Sequence, residues 1–296
     1  MKNAYLILCH KNPHQVNLLT KELCRDGSQV FLHWDKTNYR ECVPQLTLQK
    51  NVTVIPYEES ISVGWGEFSI CEAQLTLCHY ALKKQPDYVF NLSGQDFPLW
   101  SQQEIKKYLT QQNGTNFIDI LNESSPYYKN FEKRNQLFHR KFLRKNTFGA
   151  RCLRKIYYLL TGGMSYTFPF FRRKAPLPLY YGSNWWCLTG ECLQELVSLY
   201  DSTPDLQKFF QGSICSDECL FQSLFMKSSY RNTNQPNLTY IDWSEHKASP
   251  KTFLSADKNV LLAQSEKCFA RKFDIQKDEE ILLTLQQRIH RDDTNI

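Results

Sequence analysis

The chain has 296 residues, 42% hydrophobic and 14% aromatic, with a formal net charge of +6. That length and composition bury a sizeable core and exclude a disordered chain. The mild positive balance suits a phosphate-bearing ligand or an anionic membrane surface, and no nucleic-acid recognition motif accompanies it, so no nucleic-acid partner is expected.

Ala4-Tyr-Leu-Ile-Leu-Cys9 has the length of a buried strand and is too short to span a bilayer. With no secretory signal ahead of it, the expected location is the cytoplasm, with peripheral contact on the inner face of the cytoplasmic membrane. The eleven cysteines then read as reduced, buried thiols.

A helix follows with Pro13 in its first turn and Val16, Leu19 and Leu23 along one side. Strands are expected at 29–33 and 52–55, and a long helix over 67–84, ended by Pro86. Further strands fall at 87–92 and 116–121. Ser101 with Glu104 reads as a capping box for a helix over 102–112. This alternation predicts a mostly parallel sheet flanked by helices. The stretch 122–177 breaks the rhythm and reads as a basic, aromatic insertion or lid within a single domain spanning 1–296. Beyond it come a strand at 183–188, helices at 190–200 and 217–228, a strand at 238–243 and a helix at 277–290.

Ligands of such a sheet sit beyond the C-terminal ends of its strands. There the sequence puts His10, Asp35 and the run Ser93-Gly-Gln-Asp96. Gly94 permits a close backbone approach. Asp35 and Asp96 either accept hydrogen bonds from uracil, ribose or sugar hydroxyls, or cap turns. Glu218, at the start of an apolar helical stretch, is either a capping acid or a general base. Lys251, Arg271 and Lys272 either face solvent or clamp a diphosphate. The basic run from Lys133 to Lys155, with Arg140, Lys141, Arg144 and Lys145 at helical spacing, is a charged helix face or a contact with anionic lipid.

Eight segments, in order across nearly the whole chain, resemble the core-2/I-branching glycosyltransferases, a family of β-1,6-N-acetylglucosaminyltransferases and protein xylosyltransferases. They are 4–10, His33-Trp-Asp35, Ser62-Val-Gly-Trp-Gly66, Asn91-Leu-Ser-Gly-Gln-Asp-Phe-Pro98, Gly182-Ser-Asn-Trp-Trp186, Ser216-Asp-Glu218, Tyr240-Ile-Asp-Trp243 and Phe269-Ala-Arg-Lys-Phe-Asp274. The resemblance implies a GT-A-like nucleotide-sugar transferase fold and inverting transfer from a UDP-sugar, N-acetylglucosamine or xylose, to a glycan or lipid-linked oligosaccharide. Glu218 matches the family's general base, and Lys272, with Arg271 and Lys251, the diphosphate contacts. His10, Asp35, Trp65, Gly94 and Asp96 fall on the donor side. Trp243, Trp186, Glu132 and Arg134 fall on the acceptor side. The chain has no Asp-x-Asp motif, and the family looks metal-independent, so neither metal nor other cofactor is expected. The chain looks like a bacterial relative acting on a surface polysaccharide or glycolipid. Rival readings are a glycoside hydrolase using Glu218 with Asp96, and a non-catalytic carbohydrate-binding protein.

Overall fold

The computed structural model of the protein describes residues 1–125, 128–135, 137–138, 147–163, 167–247 and 249–294. Its strands are β1 (Asn3–Cys9), β2 (Gln29–Trp34), β3 (Val52–Val54), β4 (Tyr88–Ser93), β5 (Asp96–Pro98), β6 (Asn116–Ile118), β7 (Trp186–Thr189), β8 (Asn234–Gln235), β9 (Thr239–Ile241) and β10 (Phe269–Arg271). The helices are α1 (Pro13–Leu23), α2 (Tyr39–Cys42), α3 (Ser69–Leu82), α4 (Gln102–Gln112), α5 (Tyr128–Asn135) and α6 (Phe148–Thr161). They continue with α7 (Gly190–Asp201), α8 (Pro204–Gln211), α9 (Leu220–Lys227), α10 (Lys258–Leu262) and α11 (Glu280–Thr294).

Seven strands form the central sheet in the order β3-β2-β1-β4-β7-β6-β8. β1 runs parallel to β2 and β4, and β7 runs antiparallel to both of its neighbours. The mostly parallel α/β architecture expected from the strand and helix rhythm is therefore present. β1 shows why the sheet is covered on both faces. Its side chains alternate, so Tyr5, Ile7 and Cys9 join a core with α1, α4 and α11, while Ala4 and Leu6 join a second core with α3, α7, α8 and α9. α4 is capped as expected: Ser101 Oγ accepts from Glu104 N, and Glu104 Oε2 accepts from Ser101 N. All eleven cysteines are free and eight are buried.

A second sheet, β5-β10-β9, was not expected. Its three-residue strands fall below the length at which periodicity is legible. Phe269-Ala-Arg271, read from sequence only as a charged segment, is its central strand. The register sets Arg271 opposite Asp96 on one side and Ile241 on the other.

The insertion holds α5, α6 and a 3-10 turn at Pro169–Phe171. Arg140, Lys141, Arg144 and Lys145 lie outside the described residues. Among the described residues, no helix is long and apolar enough to cross a membrane.

Candidate active site

Glu218 sits in a one-turn 3-10 helix, Ser216–Glu218, separate from α9. The helix expected over 217–228 starts only at Leu220, because Ser216 is drawn into the turn: its hydroxyl donates to Phe210 O at 3.2 Å. The turn is held at both ends by backbone bonds. Cys215 N donates to Gly66 O (2.9 Å), and Gly182 N donates to Glu218 O (3.0 Å). A Cβ on Gly182 would lie 1.9 Å from Asp119 O, so only glycine permits this approach.

The segment following Gly182 is pinned by three side chains. Gln222 Nε2 donates to Ser183 O (2.7 Å), Gln74 Nε2 to Asn184 Oδ1 (2.7 Å) and Asn91 Nδ2 to Asn184 O (2.6 Å). Trp185 is thereby fixed at the rim of a cleft of about 850 Å³, whose lining includes Glu218, Arg134, Asp119, Asn184, Trp243 and Lys247. The Glu218 side chain is 35% exposed, and its Oε2 accepts from Arg134 Nη1 at 2.8 Å. Burial raises the Glu218 pKa above its ordinary value, against the opposing pull of Arg134. Burial and the Glu218 charge push the adjacent Asp217 up to about 7.

Beyond Trp185 lies a second cluster, at the strand ends. The Arg271 guanidinium stacks on the Trp185 ring at 3.9 Å, and Trp185 Nε1 donates to Asp96 Oδ2 at 2.7 Å. Asp96 is fully buried and also accepts from Ser93 N and Ser93 Oγ, each at 2.8 Å, with Arg271 Nε 3.8 Å away. Burial raises its pKa; Arg271 and the hydrogen bonds oppose that. Lys272 donates to Ser249 Oγ (3.1 Å), and burial, then Arg271 and Lys11, lower its pKa. Burial likewise lowers His10, whose neighbours include Lys11, Asp35, Lys272 and Arg271. A dense positive field thus sits beside the shared Trp185 wall.

Asp35 accepts from Thr37 N (2.8 Å) and Val63 N (3.0 Å). His33, lowered to about 4 by burial, accepts from Ile61 N through Nε2 (2.9 Å). Together they tie the Ser62–Gly66 loop to the end of β2. Trp65 on that loop is 80% exposed. Gly94 is closely packed: a Cβ there would press on Val16 Cγ2 at 3.1 Å and Cys9 Sγ at 3.3 Å.

The sequence-predicted residues divide accordingly. Glu218, Arg134 and Trp243 share the cleft, and Trp243 is 51% exposed there. Arg271, Lys272, His10 and Asp96 gather on the other side of Trp185. Lys251 lies beside Lys272 through the backbone, but its ammonium pairs with Asp257 at 2.6 Å. Glu132 is exposed on α5 and does not line the cleft. Trp186 needs correction as an acceptor contact. It is 2% exposed and packs on Phe221 with ring centroids 4.8 Å apart. Neighbouring residues in extended chain face opposite ways, so Trp185 takes the cleft and Trp186 the core. Trp185 and Asp119 were missed as cleft residues. Strand parity across the Trp pair, and an aspartate between Ile118 and Ile120, are the signals that could have found them.

A family model described as Core-2/I-Branching enzyme matches residues 3–263. Xylosyltransferase 2 of Rattus norvegicus is 22% identical over 311 residues, covering 97% of this chain and 33% of that protein. The Xylosyltransferase of Ciona intestinalis is 22% identical over 316 residues, covering 98% and 34%. The Beta-1,3-galactosyl-O-glycosyl-glycoprotein beta-1,6-N-acetylglucosaminyltransferase 4 of Danio rerio is 26% identical over 146 residues, covering 45% and 32%. The chain spans about a third of the length of the curated relatives it matches.

Proposed function

Because the chain belongs to the Core-2/I-branching enzyme family, we propose that it is an inverting, metal-independent glycosyltransferase, moving a sugar from a UDP-sugar to a glycan hydroxyl with β linkage. One observation carries the reading. Glu218 is a partly open carboxylate with a raised pKa, in the same cleft as Arg134 and Trp243.

The acceptor oxygen attacks the anomeric carbon while its proton passes to Glu218. The bond from that carbon to the β-phosphate oxygen breaks on the opposite face, and UDP leaves with the electron pair. Base catalysis of this kind contributes about 10²–10⁴-fold. The charge that develops on the departing diphosphate falls to Arg271 and Lys272, which are fixed before the reaction begins. Arg134 favours the ionised form of Glu218 against the effect of burial, and Trp243 offers a ring face to an acceptor sugar.

The donor is read as UDP-N-acetylglucosamine and the acceptor as a bacterial surface polysaccharide or lipid-linked oligosaccharide. A second reading, UDP-xylose, is favoured by one observation: the xylosyltransferase matches run nearly the whole chain, and the N-acetylglucosaminyltransferase match covers 45% of it.

Thermal unfolding with UDP-N-acetylglucosamine, UDP-xylose, UDP-glucuronate and UDP-galactose tests the reading. A donor at about 100 times its Kd adds roughly 2.7 kcal/mol of stability, seen as a raised Tm. The expected outcome is a rise with one or two of the four. No rise with any of them removes the nucleotide-sugar reading.

A further inference from the structure

Residues 133–190 contain twelve Lys and Arg and no Asp or Glu, leaving 24 Lys and Arg against 30 Asp and Glu in the rest of the chain. A net charge of +6 therefore hides a strongly cationic segment in an acidic remainder.

α6 lies in this segment, and its faces separate sharply. At about 100° per residue, Phe148, Cys152, Leu153, Ile156, Leu159 and Leu160 share an arc of roughly 140°. All six are exposed, Phe148 at 76% and Leu159 at 79%. Ala150 and Thr161 on the opposite side are buried, and Tyr157 beside them donates to Phe138 O at 2.7 Å. Arg151 and Lys155, both exposed, occupy the flank between the two faces. Helix ends are well defined: Thr147 Oγ1 accepts from Ala150 N, and Gly162 closes the C-terminus with φ 84°.

The apolar surface continues past the helix. Phe168 N donates to Thr161 O (2.9 Å), which brings the Pro169–Phe171 turn against the helix end, with Phe170 91% exposed. Exposed Arg172 and Lys174 follow the turn. Arg173 between them anchors the segment to the body: its Nη1 donates to Gly212 O (2.9 Å), and its guanidinium stacks on Phe209 at 4.2 Å. The face is therefore held on a folded scaffold.

We propose that this face docks on an anionic lipid bilayer. The apolar arc and Phe170 enter the headgroup–acyl boundary, and the exposed Arg151, Lys155 and Lys174 meet lipid phosphates. Exposed apolar side chains grouped in this way are seldom left to water, and a cationic flank in a stretch whose sequence carries no Asp or Glu from 133 to 190 is complementary to an anionic surface. The same insertion supplies Phe131 and Arg134 to the cleft.

Cys152, the exposed cysteine among the described residues, lies within the arc and takes an environment-sensitive fluorophore. The labelled full chain is mixed with vesicles of phosphatidylcholine alone, or of phosphatidylcholine with phosphatidylglycerol, and unlabelled protein is floated with each. A blue shift and co-flotation are expected only with phosphatidylglycerol, and both weaken as salt is raised. The pair Arg151→Gln and Lys155→Gln should lower vesicle affinity by about tenfold or more. The pair Leu159→Glu and Leu160→Glu should abolish co-flotation. Both pairs change exposed residues, so circular dichroism and Tm should stay as in the parent chain. Absent binding, equal binding to both vesicles, or binding untouched by either pair overturns the proposal. So does a concentration-dependent dimer, seen by light scattering, that Leu159→Glu with Leu160→Glu dissolves, since a second copy then covers the face. No nucleotide sugar enters these measurements, so the outcome is independent of the proposed transfer reaction.

Discussion

At the ends of β2 and β4 the acids are saturated by the protein itself. Asp96 accepts three hydrogen bonds from Ser93 and Trp185 with Arg271 alongside, and Asp35 holds Thr37 and Val63. Around the 3-10 turn the arrangement is reversed. Glu218 has Arg134 as its partner and keeps a third of its side chain open to the cleft. Burial raises the pKa of both Asp96 and Glu218, so a raised pKa does not separate them. The number of internal donors does. A carboxylate engaged by several internal donors organises loops, whereas one with a single cationic partner can accept a proton from a ligand.

The largest expected effect comes from attacking the saturated acid. Asp96→Ala strips the acceptors from Ser93 and Trp185 and leaves the Arg271 charge buried beside no carboxylate. Breaking such a buried pair costs about 3–5 kcal/mol. Urea unfolding should show that loss as a lower midpoint. A change below about 1 kcal/mol would move Asp96 out of the structural class and erase the contrast.

Glu218→Gln should do the opposite. Transfer falls by roughly a hundredfold or more, about 2.7 kcal/mol in the barrier, while the unfolding midpoint stays near the parent value. Unchanged transfer removes Glu218 from the chemistry. The pH dependence sharpens the point. Loss of rate on acidification should set in above the ordinary carboxylate range, because the pKa of Glu218 is raised. The fold moves the other way. Glu218 and Asp217, the latter at about 7, hold protons more tightly folded than unfolded, so their contribution to stability rises as pH falls through that window. Activity lost in parallel with the fold on acidification would contradict this.

The sequence-based reading of the two regions also differed in quality, for physical reasons. β1 was legible because a strand buried on both faces is apolar throughout, and α4 because its cap is a local hydrogen-bond pattern in Ser101 and Glu104. Glu218 was legible as a residue, but its 3-10 turn was not, since the bonds that hold it come from Gly66 and Gly182, far away in the chain. The contact of Arg271 with Asp96 depends on strand register across 175 positions, which no local pattern records. α6 was read only as part of an insertion or lid because the basic, aromatic stretch 122–177 breaks the strand–helix rhythm, and the exposure of its apolar arc is a tertiary fact that spacing alone does not carry.

The smallest expected effect is no effect. Excess EDTA should leave the transfer rate unchanged if, as proposed, the positive charge offered to a departing diphosphate belongs to the chain. Arg271 is fixed by Trp185 and Asp96, and the Lys272 pKa is lowered by burial and by Arg271 and Lys11, a field that an incoming diphosphate would relieve. The measurement is the initial rate of UDP release with and without chelator, repeated after adding Mn²⁺. Loss of rate in EDTA with recovery on Mn²⁺ would assign the leaving-group charge to a metal. The cations beyond Trp185 would then join Asp96 as parts of the scaffold, and the reactive region would contract to the cleft around Glu218.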